Sequence, residues 1–147
     1  MHKLSNHTQI FIICFFMSFG ILLYGIYRCK NKEFKDPLIN GKKICRVCDM
    51  WSISHLVFNF ILGYMYPNNL YFIIFMGIIW ELFEYSIQND YVNNIPVVKN
   101  IIDVSKCKDN QILSDKKMHW VYYELTDIPM NIIGVILGIY CKNNNVF

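Results

Sequence analysis

Residues 51–87 read WSISHLVFNFILGYMYPNNLYFIIFMGIIWELFEYSI, without a lysine or an arginine anywhere. Pro67, Asn68 and Asn69 interrupt the run as a tight turn, because proline and asparagine favour turn backbones. Two apolar segments result, Trp51–Tyr66 and Leu70–Ile87. Each is near the length needed to cross a bilayer as a helix, and either alone could also be a buried helix of a soluble protein. The rest of the chain decides between these readings. Ile10–Tyr27 (IFIICFFMSFGILLYGIY) has no charge and would rise about 27 Å as a helix. Met118–Cys141 is apolar apart from a polar cluster in its first half.

Four such stretches in 147 residues, with aromatics at their ends, predict an all-α integral membrane bundle. The expected transmembrane helices cover about 10–27, 51–66, 70–87 and 118–141 of one domain, residues 1–147. A signal peptide is the competing reading of the first. Its apolar core would be shorter and end in small residues, whereas Arg28, Cys29 and Lys30 follow here. An uncleaved helix is therefore expected.

Composition agrees: 54% of residues are apolar and 17% charged, below the roughly 25% of soluble domains. Alanine is absent while Ile (23) and Asn (15) abound, the mark of an AT-rich coding sequence. Residue propensities alone therefore carry little weight. A net charge of +3, scattered along the chain, argues against nucleic acid as a partner. Six cysteines fall short of a disulfide scaffold.

Twelve of the 14 Lys and Arg fall in residues 28–50 and 88–117. Four crossings put those two loops on one side, which the positive-inside rule makes cytosolic. Both termini are then expected on the far side, in a membrane whose identity the sequence does not specify. The loops would lie near anionic phospholipid, although topology alone accounts for their charge. A short interfacial helix is considered near Ile95–Val104. Cys45 and Cys48, with Cys29 and Cys107, are a weak zinc candidate, since only one pair has ligand spacing. Asn6-His7-Thr8 is a glycosylation sequon, set too close to the first helix for ready use.

Ionisable residues inside a bilayer are costly, at about 2.5–3.5 kcal/mol each on insertion scales. Glu81, Glu84, Glu124 and Asp127 nevertheless lie in the apolar stretches. Counted from the cytosolic ends at about 1.5 Å per residue, they and His55 fall in one slab roughly 5–14 Å deep. Helical spacing places His55, Asn59 and Gly63 on one stripe, and Glu81 and Glu84 on one face beyond Gly77. Glu124, Asp127, Asn131, Gly134 and Gly138 form a third stripe. Pro129 cannot donate to the Leu125 carbonyl, which is thereby expected to be free as a ligand. Singly, each residue has a plain reading, as a snorkelling glutamate or an interfacial histidine. Their shared depth and faces favour a site. Carboxylates with the Asn131 amide make an oxygen-rich set suited to calcium or magnesium, with protonated carboxyls as the rival reading.

In order, the motifs are DMWSISH at Asp49–His55, WELFE at Trp80–Glu84, and D-x3-N-x2-G-x3-G at Asp127–Gly138. This pattern resembles the VanZ-like small membrane proteins of bacteria, and a bacterial membrane family with D-x4-SH and W-E-x-x-E segments. More distantly, residues 49–140 are similar to the catalytic core of eukaryotic base-exchange phosphatidylserine synthases. Those enzymes carry further acidic residues upstream of their Asp–Asn pair, where only Trp120 and Glu124 stand here. That resemblance implies His55 as general base, with Glu81, Glu84, Asp127 and Asn131 as the cation and polar site. It implies phospholipid head-group transfer. Two other classes fit the same residues: a non-catalytic membrane interaction protein and a small transporter or proton pathway.

Overall fold

The structure, a computed structural model, describes residues 4–30, 50–88, 108–109, 118–119 and 125–146. Glu124, Cys45, Cys48, Cys107, the Ile95–Val104 segment and the side chain of Cys29 lie outside the described residues. Four helices make up nearly all of the described chain: α1 (Asn6–Lys30), α2 (Met50–Met65), α3 (Leu70–Gln88) and α4 (Asp127–Asn143). A 3-10 turn, Pro67–Asn69, joins α2 to α3 with Pro67 at its first position, where no amide hydrogen is required. Lys108–Asp109 (β1) and Met118–His119 (β2) pair antiparallel. The fold class is all-α.

The fourth helix corrects the sequence reading. It opens at Asp127 rather than Met118, and Met118–His119 is extended. Pro129 explains the start. It occupies the first turn of α4, where backbone N–H groups have no intrahelical acceptor in any case. The first interior bond runs from Met130 N to Thr126 O at 3.3 Å. The Leu125 carbonyl is therefore not freed by a break inside a helix, and Asp127 sits at a helix end rather than deep within one.

Helices α2 and α4 run parallel in close contact. Ser52 meets Asp127, His55 meets Asn131, and Lys142 lies 5.0 Å from the Tyr64 ring centroid. Glycines make this approach possible. A Cβ on Gly138 would fall 2.7 Å from Tyr64 N, and one on Gly63 would fall 3.0 Å from Val135 Cα. Helix α1 runs opposite to α2, with Asn6 bonded to Asn69 at one end and Tyr24 near Trp51 at the other. Helix α3 turns away from α2 by 113°.

The distribution of side chains is inverted relative to a soluble bundle. Phe15, Phe16, Tyr71, Phe75, Leu82 and Tyr140 are exposed. Buried instead, among the described residues, are six polar residues, Ser52, Asn59, Glu81, Glu84, Asp127 and Asn131, against five apolar ones. Among the described residues α1 alone is long and apolar enough to cross a membrane by itself, and α2 with α3 passes the same test as a bent pair.

Candidate functional site

Asn131 is the hub. Its Oδ1 accepts a 2.7 Å hydrogen bond from Asn59 Nδ2, and its Nδ2 donates to Glu81 Oε1 at 2.8 Å. Asn59 also donates to the His55 carbonyl at 3.0 Å. Gly77 faces Asn131, where an added Cβ would rest in ordinary van der Waals contact with Nδ2 at 3.4 Å. His55 Nδ1 lies 3.1 Å from Asn131 Oδ1 and 3.3 Å from Glu81 Oε1. Both neighbours are acceptors. In the neutral ring Nδ1 therefore carries the hydrogen and Nε2 keeps its lone pair.

Glu84 and Asp127 also stand close to His55. One ligand atom from each of His55, Glu84 and Asp127 lies within 4.8 Å of the others, so this group could hold a metal ion. Ser52 Oγ donates to Asp127 Oδ1 at 2.6 Å and orients that carboxylate. Glu81 Oε2 and Glu84 Oε2 are buried without a hydrogen-bond partner among the described residues. Glu81, Glu84 and Asp127 are 2%, 6% and 3% exposed, and neither 51–87 nor 118–141 contains a lysine or arginine. Buried charge requires a partner. A cation among these oxygens meets that requirement, so the residues present fit a bound ion.

His55, Glu81, Glu84, Asp127 and Asn131, all singled out by spacing, thus meet within the described residues, and Asn59 joins them. Glu84 groups with Asp127 and His55, and Glu81 Oε1 lies 3.3 Å from the imidazole Nδ1. Sequence reasoning passed over Ser52. It lies three residues before His55 on the same helical stripe, and that periodicity was the available signal. Thr126, whose buried Oγ1 also lacks a partner among the described residues, was equally unremarked.

His55, Asn59 and Asn131 also face a cavity of about 410 Å³ bounded by α1, α2 and α3. The divergence of α3 from α2 leaves this space. Comparison with protein-family models, with curated proteins and with solved structures finds no match to this chain.

Proposed function

We propose that the chain crosses a membrane four times, with both termini non-cytosolic, and acts on a phospholipid head group at the cytosolic leaflet. The observation that carries this reading is the meeting of three buried carboxyls and a histidine from three helices, inside an apolar exterior. Polar groups of this kind inside a membrane bundle mark functional sites by default. The parallel course of α2 and α4 supports the topology, because helices separated by one full return cross in the same direction. In sequence, the basic stretch 28–50 runs directly into the start of α2, where Ser52 meets Asp127. The resemblance to VanZ-like proteins and to phosphatidylserine synthases points the same way.

In this reading His55 Nε2 takes the proton of an attacking hydroxyl as its oxygen bonds to phosphorus. The P–O bond to the original head group breaks, and the departing alcohol receives the proton back from the imidazolium. Glu81 and Asn131 hold the ring by Nδ1 and so fix its orientation. Glu84 and Asp127, with Glu81 Oε2 available, would hold the divalent cation, and calcium or magnesium suits such an oxygen set. The bound cation would polarise a phosphate oxygen and offset charge developing on it. Ser52 fixes Asp127, and the buried setting limits water.

The test is a lipid profile of membranes with and without the protein. A changed head-group composition that disappears with His55→Ala supports the enzyme. Identical profiles for wild type and variant would remove catalysis and leave the interaction role. Proton flux through reconstituted vesicles, lost on Glu81→Gln, would establish the transport reading instead.

A further inference from the structure

The cavity has a polar side and an apolar depth. His55, Asn59 and Asn131 contribute the polar groups, and the half-buried Leu22, Phe58 and Met76 lie among its walls. Along α2 the lining runs from Trp51 to Leu62, a rise of about 16 Å. At about 410 Å³ the cavity falls within the range of small-ligand pockets, roughly 300–1,000 Å³. Its apolar depth offers water few partners and would stay dry if unfilled. Met17 of α1 and Ile79 of α3 both line the cavity and are 45% and 43% exposed. They mark its rim. The rim thus lies on the apolar flank of the bundle, between two helices, where in a bilayer the neighbouring molecules are lipid chains.

We propose that this cavity seats one alkyl chain of a membrane lipid, with the lipid's polar head at His55, Asn59 and Asn131. The proposal rests on the membrane reading above and adds the means by which the substrate is held. The chain enters sideways past Met17 and Ile79, and its burial against the half-buried Leu22, Phe58 and Met76 supplies affinity. The head then lies against His55, the one residue shared by the cavity and the His55–Glu84–Asp127 cluster. A lipid so held has its phosphate region beside the base without any dedicated loop closing over it. Positioning by a remote, non-reacting part of a substrate is a general source of catalytic advantage.

Cys14 lines the cavity and reports on its occupancy. The full chain is prepared with Cys14 as its only cysteine, and alkylation by N-ethylmaleimide is followed with and without palmitoyl lysophosphatidylcholine. The lipid is expected to slow alkylation about tenfold, the effect of occupancy near 90%. Native mass spectrometry of the wild-type chain is expected to show one retained lipid. Met76→Trp, which fills the cavity, should weaken retention about tenfold by excluding a few methylenes, while Phe75→Trp on the exposed face leaves it unchanged. Unslowed alkylation of Cys14 overturns the proposal, even where Met76→Trp does not fold. Equal retention by a folded Met76→Trp also overturns it. A lipid profile that still depends on His55, with Cys14 unprotected, removes the chain seat and leaves the head-group reading. Protection of Cys14 with an unchanged profile does the reverse.

Discussion

Ser52 Oγ donates a 2.6 Å hydrogen bond to Asp127 Oδ1, joining the first turn of α2 to the first residue of α4. The two helices run parallel, so this bond fixes their register at the end where the carboxyls gather. Hydrogen bonds between membrane helices contribute about 0.6–2 kcal/mol. Ser52→Ala is expected to lower stability in detergent by about that amount. It should also weaken any ion bound through Asp127, since the carboxylate loses its orienting donor. Unfolding in graded denaturing detergent measures the first effect. Unchanged stability would show the bond to be dispensable.

Close approach of α2 and α4 depends on glycine. A Cβ on Gly138 would collide with the Phe60 carbonyl oxygen and stand 2.7 Å from Tyr64 N, both backbone atoms that cannot rotate away. Gly138→Ala should therefore destabilise by about 1–3 kcal/mol, the usual cost of overpacking. Gly20→Ala is the control, because nothing lies within 4 Å of its added methyl. The paired melting temperatures check this directly. Equal values would mean that the helices separate easily.

Much of the site was legible because helical periodicity dictates which residues share a face. His55 with Asn59, Glu81 beyond Gly77, and Asp127 with Asn131 and Gly134 stand on stripes that the sequence displays, and those stripes converge on Asn131. The start of α4 was not legible. The run from Met118, apolar apart from its polar cluster, continues into the helix without a lysine or arginine, and Pro129 reads equally as an interior break or a first-turn residue. The angle between α2 and α3 was hidden too. Periodicity names a face but not the angle at which it meets its neighbour, so neither the 113° divergence nor the cavity could be foreseen.

The ends of the chain offer a separate test of the membrane reading. Asn6 at the start of α1 bonds to Asn69, and Lys142 near the end of α4 lies over Tyr64, so both mark the same end of the bundle. Tags at residues 1 and 147 should resist protease added at the cytosolic face, whereas sites in 31–49 should be cut. Protection of only one tag would mean an odd number of crossings and would separate the carboxyl cluster from the cytosolic leaflet.

Metal binding discriminates between two roles for His55. If the imidazole is the base, the ion is left with oxygens from Glu84, Asp127 and Glu81, a set for calcium or magnesium. If Nε2 is a ligand, the set becomes mixed nitrogen and oxygen and suits zinc or manganese, with Glu81 and Asn131 orienting the ring from Nδ1. A ligand bound only to the native state raises stability, by about 2.7 kcal/mol at a hundred times its Kd. Thermal unfolding of the purified chain is therefore followed while each of the four ions is added in turn. Calcium or magnesium is expected to raise the midpoint, and Glu84→Gln combined with Asp127→Asn should abolish the rise. Stabilisation by zinc or manganese alone would make His55 a ligand and end its role as base. Equal stabilisation of the double variant would place the ion elsewhere, and no stabilisation by any ion would leave the buried carboxyls neutralised by protons.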